Sequence, residues 1–169
     1  MLVKSNDGKW QFRWIFLANH AELKIEKADD SRKYWFLYEG PSAGVFSPGN
    51  QYWGNSADGI RTDCPSIYKN PVSGNWQWAF FGMRSINTSL FLAQKGKDDA
   101  PDYFSYMGND PKKQNLSVDG MNVFGFGRGL KTNPELSGEN HFFMGLFPLP
   151  LNKSGNSKTF ITYISELIK

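Results

Sequence analysis

Glu39 ends an unbroken apolar run, Tyr34-Trp35-Phe36-Leu37-Tyr38, and the breakers Gly40, Pro41 and Gly44 follow it. A run of this kind suits a strand covered on both faces. A carboxylate carried from the end of such a strand into a turn is expected at the rim of a cleft. Apolar neighbours there would desolvate it and raise its pKa, the setting of a general acid or base. Glycoside hydrolysis needs a second, facing carboxyl group. None stands out: Glu22 and Glu26 fall on a polar strand face, and Asp58 and Asp63 fall in loops. A lyase would instead use an arginine to neutralise a uronate carboxylate and a His or Tyr base to take the neighbouring proton. Arg13, His20, Tyr38, Arg128 and His141 supply those types.

The expected catalytic set is therefore Glu39, His20 and Arg128, with Arg13 and Tyr38 as substrate-binding groups. The plain structural alternative is specific too. It makes Arg13 an exposed strand residue, His20 a turn residue, and Arg128 an ion pair with Glu39, with Tyr38 and His141 as ordinary strand positions. Sugar rings present C–H faces that stack on Trp and Tyr. Tyr52 and Trp53, flanked by Gly54 and Asn55, are expected at such a surface, while Trp78 reads as core.

Other chemistries find little support. Gly125-Phe126-Gly127-Arg128-Gly129 lacks the spacing of a phosphate loop and no helix follows it. One cysteine, Cys64, and two histidines give no local nucleophile–base pair and too few ligands for zinc without a carboxylate. The acidic loop Asp98, Asp99, Asp102 offers hard oxygens of the kind calcium takes, or is simply a solvated loop. No cofactor is required by the sequence.

The chain has 169 residues, of which 40% are hydrophobic and 16% aromatic, so one domain with a real core is expected. Seventeen glycines and nine prolines imply many turns, the composition of a sandwich or barrel. The net charge of +3 is spread over scattered lysines, with only Lys95/Lys97 and Lys112-Lys113 close together, so a nucleic-acid surface is not expected. No stretch is long and apolar enough for a membrane-spanning helix. A single cysteine excludes an internal disulfide, and MLVKSNDGKW has no signal-peptide core, which leaves cytoplasmic and exported settings open.

Strands must position these residues. Lys9 to Leu17 alternates with period two, placing Trp10, Phe12, Trp14 and Phe16 on one face. Ala21 to Lys27 alternates again, with Leu23 and Ile25 inward. Further strands are expected at Tyr34–Tyr38, Trp76–Gly82, Thr88–Ala93, Tyr103–Met107, Met121–Arg128 and His141–Leu149. On these, Trp76, Trp78 and Phe80 should share a face, as should Phe124, Phe126 and Arg128. Gly125 and Gly127 would leave room for a neighbouring backbone or a flat ligand. From Thr159 the period changes: Phe160, Tyr163, Ile164, Leu167 and Ile168 form a helical stripe, with Ser157 as N-cap. A strong strand so close to the N-terminus fits either a small sandwich or part of a larger one whose first strand needs a partner edge.

WQFRWIF, NHAELKIEKAD, YWFLYEGPSAG, WAFFG, LFLAQ and VFGFGRG, in that order, resemble bacterial β-sandwich proteins of the concanavalin A-like or jelly-roll type associated with polysaccharide use. The resemblance runs over roughly residues 10–147, carries no catalytic signature, and implies that further strands precede Trp10. The expectation is thus an all-β, antiparallel two-sheet sandwich with a short C-terminal helix. Its expected partner is a poly- or oligosaccharide, bound or cleaved in a cleft on one sheet. The alternatives are a non-catalytic carbohydrate-binding module and a structural or interaction sandwich.

Overall fold

The structure, a computed structural model, describes residues 1–40, 46–67, 72–108, 120–129 and 133–169. The turn residues Pro41 and Gly44, the breaker pair Asn70-Pro71 and the pair Lys112-Lys113 lie outside the described residues. In chain order the strands are β1 (Leu2–Lys4), β2 (Gln11–Phe16), β3 (His20–Lys27), β4 (Phe36–Gly40), β5 (Gln51–Asn55) and β6 (Gly59–Arg61). They continue with β7 (Val72–Gly74), β8 (Trp78–Met83), β9 (Ser89–Lys95), β10 (Asp102–Met107), β11 (Met121–Phe126) and β12 (Asn140–Phe147), and helix α1 (Ser154–Leu167) follows. They form two antiparallel sheets: eight strands in the order β1-β2-β3-β12-β9-β8-β5-β6, and four in the order β4-β11-β10-β7. This is an all-β two-sheet sandwich with one C-terminal helix.

Flat aromatic contacts join the sheets. Phe104 of β10, stacked on its neighbour within the smaller sheet, Phe124 of β11, at 4.6 Å, reaches across to Trp53 of β5 at 4.5 Å, and Phe36 of β4 stacks across the layers on Phe142 of β12 at 4.5 Å. Stacked rings bury large areas at fixed spacing, so they set both the separation and the alignment of the layers. A second apolar layer lies on the other side of the larger sheet. There Phe160 and Ile164 of α1 pack on Tyr52, Phe80, Phe91 and Phe147. The helical stripe is as expected, but the helix begins earlier. Its N-cap is Lys153, and Ser157 sits inside the first turns, donating its hydroxyl to the carbonyls of Leu151 (2.9 Å) and Lys153 (3.1 Å). Packing of one apolar face carries the helix back through Gly155 and Asn156, which their propensities alone would assign to a linker.

Three other expectations need correcting. Tyr34–Tyr38 is not a doubly covered strand: β4 begins at Phe36, stands at the edge of the smaller sheet, and leaves Trp35 41% exposed. Trp76 precedes β8 and sits between the sheets, its indole N–H donating to the Gly125 carbonyl at 3.2 Å, while Trp78 and Phe80 face the helix. Gly125 makes room for the backbone of Phe36 and Leu37, and Gly127 for the side chain of Leu136, so the space is filled by the chain itself. Gly127 has φ +71°, a conformation that side chains resist; it ends the alternation of β11 and turns Arg128 away from the face of Phe124 and Phe126.

Asp102 is buried at the start of β10 and ties two chain segments together. Its Oδ2 accepts the Trp76 N–H and its Oδ1 the Gly127 N–H, both at 2.9 Å. Burial pushes its carboxyl up to about 7 in spite of those two donors. The unfolded chain releases this proton near 3.8 and the folded chain near 7, so stability from this group is full below about pH 4 and is lost as pH rises to 7. The expected slope is at most roughly 1.4 kcal/mol per pH unit. Thermal melts of wild type and Asp102→Asn between pH 4 and 8 check this: the wild-type advantage should shrink as pH rises, and a gap independent of pH would contradict it.

Candidate functional site

The residues expected to form a catalytic set are divided between two surfaces. Tyr38 packs its ring on Phe124 in the core, so Glu39, next along β4, points out of the smaller sheet and is exposed. Arg128 reaches the same outer face. Its Nη1 donates to Ser105 Oγ at 3.2 Å, and its guanidinium carbon lies 5.2 Å from the centre of the Tyr103 ring. Burial lowers its pKa, while Tyr103 and the charge of Glu39 act in the opposite sense. Glu39 influences it by charge, without a salt bridge among the described contacts.

His20 lies elsewhere, on the helix-facing side of the larger sheet. His20, Glu22 and Lys24 alternate with the inward Leu23 and Ile25 on β3, and strand pairing sets His141 of β12 opposite Lys24. His141 Nε2 is 2.9 Å from Glu22 Oε2, and His20 Nε2 is 3.8 Å from Glu22 Oε1. Both histidines of the chain thus lie beside one carboxylate, which His141 hydrogen-bonds, while His20 Nε2 is buried without a hydrogen-bond partner among the described residues. Tyr163 of α1 completes the group with a hydrogen bond to His20 Nδ1 at 3.2 Å. Lys24 Nζ stands 3.7 Å from Glu22. Burial lowers the His141 pKa, and its hydrogen bond to the Glu22 carboxylate partly restores it. This cluster can hold a proton and pin the helix to the sheet.

Local spacing in the sequence joins half of this cluster. His20 and Glu22 are two apart on a strand and therefore share a face. His141 is 119 residues from Glu22, and only sheet pairing joins them.

The remaining site expectations resolve one by one. Trp53 and Tyr52 are fully buried in β5 and are not a sugar-stacking surface. The Trp53 indole N–H donates to the Asp63 carbonyl at 2.8 Å, its ring stacks on Phe104, and Arg61 lies over it at 4.9 Å. The Tyr52 ring lies across Gly82 on β8, where a side chain would collide with it, and its hydroxyl shares a hydrogen bond of 2.9 Å with Ser89. Burial raises the pKa of Tyr38, the reverse of what a base near neutral pH needs. Arg13 is exposed and pairs with Glu26. Asp102 faces inward on backbone N–H groups, and Asp98 accepts from Gln94 and from the Ala100 N–H. Among the described residues no group of three or more His, Cys, Asp or Glu is arranged to hold a metal ion, and no helix is long and apolar enough to cross a membrane.

A different site emerges at the open end of the sandwich. The smaller sheet stops at β4, over β12, and the inner faces of β2 and β3 continue beyond it. Between them lies a cleft of about 570 Å³. Phe12, Trp14, Leu23 and Ile25 form its floor, and Tyr34, Trp35 and Phe36 form the wall, with Trp10 set edge-on to Tyr34 at 5.6 Å. Among the described residues no Asp, Glu, Asn, Gln or Arg lines it, while Lys4 and Ser5 do. The period-two alternation of β2 puts Phe12 and Trp14 there, as the sequence indicates; the missing cover is a property of the tertiary structure.

Replacing Glu22 by Gln removes the charge that supports protonation of His141. His141 should titrate below the ordinary imidazole range in the wild type, and lower still in Glu22→Gln, followed by NMR of its ring protons. A midpoint that stays put or rises would contradict the cluster as described. Comparison of the chain with protein-family models, curated proteins and solved structures finds no match to any of them.

Proposed function

We propose that this protein is a non-catalytic binding sandwich that holds the apolar part of a small amphipathic molecule in the cleft between β2–β3 and β4. One observation carries the reading: a concave site of about 570 Å³, open to water at its mouth and lined almost entirely by aromatic and aliphatic side chains. Small-molecule sites typically enclose about 300–1,000 Å³ and are predominantly apolar. The mouth suits a polar head group and the floor an apolar body.

An oligosaccharide suits this cleft less well. Sugar hydroxyls need several free polar partners beside the stacking rings, and besides Lys4 the cleft offers Ser5 and Tyr34. Ser5 already donates its hydroxyl to Asp7 Oδ1 at 2.6 Å. The Tyr34 hydroxyl donates to the Gly138 carbonyl at 2.9 Å and accepts from Asn140 Nδ2 at 2.6 Å. Turnover is not part of the reading, because Glu39 and Arg128 on one side and His20 on the other do not meet.

Trp10, Trp14 and Trp35 report on occupancy through their own fluorescence. Titration with dodecanoate should change tryptophan emission saturably, and Trp35→Ala, at an exposed position, should weaken binding by roughly tenfold, the loss of about 1.4 kcal/mol of ring contact. A neutral oligosaccharide series should leave the emission unchanged. Saturable binding of a glycan with none of dodecanoate would replace this reading with the carbohydrate one.

A further inference from the structure

Among the described residues, the cleft between β2–β3 and β4 is bordered by a single charged residue, Lys4 of β1, and by no carboxylate. The other cations at this end of the sheet are matched. Lys9 Nζ lies 3.2 Å from Asp29, which also takes Arg32 at 3.9 Å, and Lys33 Nζ lies 2.8 Å from Glu135. Asp7, the acid nearest Lys4 in the chain, accepts the Ser5 hydroxyl and the Lys9 N–H. Lys4 makes no ion pair among the described residues. Strand pairing sets Val3 opposite Phe12 and Lys4 opposite Gln11. Val3 therefore stands on the cleft side with Phe12, and the Lys4 stem leaves the strand on the other side. Because β1 is the outermost strand of the larger sheet and is exposed throughout, no neighbouring strand blocks a stem that turns round its free edge. Lysine stems lie along apolar surface and keep the ammonium in water, which places the charge at the mouth and not on the floor.

We propose that the occupant of the cleft is an amphiphile with a carboxylate head, and that Lys4 is the residue that selects it. The inference rests on the reading of the cleft as a small-molecule site and adds the charge of what it takes. The rings hold an apolar body whatever head it carries, so apolar area supplies the affinity and charge supplies the choice. A carboxylate at the mouth gains the one cation there that has no acidic partner. Low-dielectric walls beside a charge of one sign focus its field on such a head. An ammonium head would meet Lys4 as a like charge, with no carboxylate on the lining to offset it. A neutral head would gain nothing from Lys4.

Titrations followed by tryptophan emission test this with decanoate, decan-1-ol and decyltrimethylammonium, each kept below the concentration at which it aggregates. They are run on the wild type, Lys4→Met and Lys4→Glu. Both substitutions fall at an exposed edge position, so the near-ultraviolet dichroism spectrum should not change. In Lys4→Met the decanoate Kd should rise about threefold, the scale of an exposed ion pair, and the decan-1-ol Kd should stay as it is. In Lys4→Glu the decanoate Kd should rise about tenfold and that of decyltrimethylammonium should fall. In the wild type alone, decanoate binding should weaken relative to decan-1-ol as salt rises from about 0.01 to 1 M, because screening shortens from roughly 30 to 3 Å. Decanoate binding indifferent to both substitutions and to salt overturns the inference, while saturable decan-1-ol binding would still uphold the cleft as a site. Equal weakening of all three ligands in the variants also overturns it, since Lys4 would then act by packing and not by charge. A wild type that binds none of the three overturns the small-molecule reading and this inference together.

Discussion

Strands in a sheet lie about 4.8 Å apart, so four strands cover only about half the width of eight. This mismatch governs the rest of the structure. The smaller sheet sits over β12, β9, β8 and β5, and stacked rings hold it there. The inner face of β2 runs on past the lid, with Phe12 and Trp14 only partly buried and Phe16 exposed, while Leu23 and Ile25 of β3 beside it stay buried. Hydrophobic side chains left in this way are stable only because the covered half supplies enough burial to fold the whole sheet. The aromatic cleft and the exposed ring of Phe16 are both consequences of that single constraint.

The two faces of the larger sheet solve different problems. Toward the smaller sheet, packing is by flat aromatic stacking between Phe104, Phe124 and Trp53. Toward α1, it is edge-on, with Phe160 meeting Phe80, Phe91 and Phe147 near right angles. A rod laid on a pleated surface cannot stack rings in parallel layers, so its aromatic side chain enters the gaps between rows instead. Polar groups at the edges of these layers fix what ring packing leaves free. Asp102 clamps the lead into β8 against the end of β11, and the His20–Tyr163 hydrogen bond anchors α1 to β3. An unmet buried polar group is costly, so each such pairing has one satisfactory geometry where apolar contacts have several.

Much of the local structure was legible in the residues. Period-two alternation located β2 and β3, apolar and aromatic runs located β9, β10 and β12, and the stripe through Phe160, Tyr163 and Ile164 located the helix. What was not legible came from long-range pairing. Tyr52 and Trp53 look like loop aromatics because Gly54 and Asn55 follow them; pairing with both β8 and β6 makes them core. Glycine weakens an isolated strand, but across the sheet from Tyr52 and near Phe80 it is the only residue that leaves room for the rings. Arg128 reads as sharing a face with Phe124 and Phe126 by simple counting, and one left-handed glycine reverses it.

The sequence by itself determined the class of the fold and the apolar faces, because alternation and helical spacing are local properties of strands and helices. It also carried every residue of the His20, Glu22, His141 and Tyr163 cluster, without the means to join them. The tertiary structure alone decided which apolar faces were covered, and so which aromatic residues were core and which lined an opening. It decided too that Glu39 and Arg128 look out from one sheet while His20 faces the helix on the other. The physical reason is the same in each case. Side-chain direction follows from a few neighbouring dihedrals, whereas cover and convergence follow from strand order, which couples residues more than a hundred positions apart.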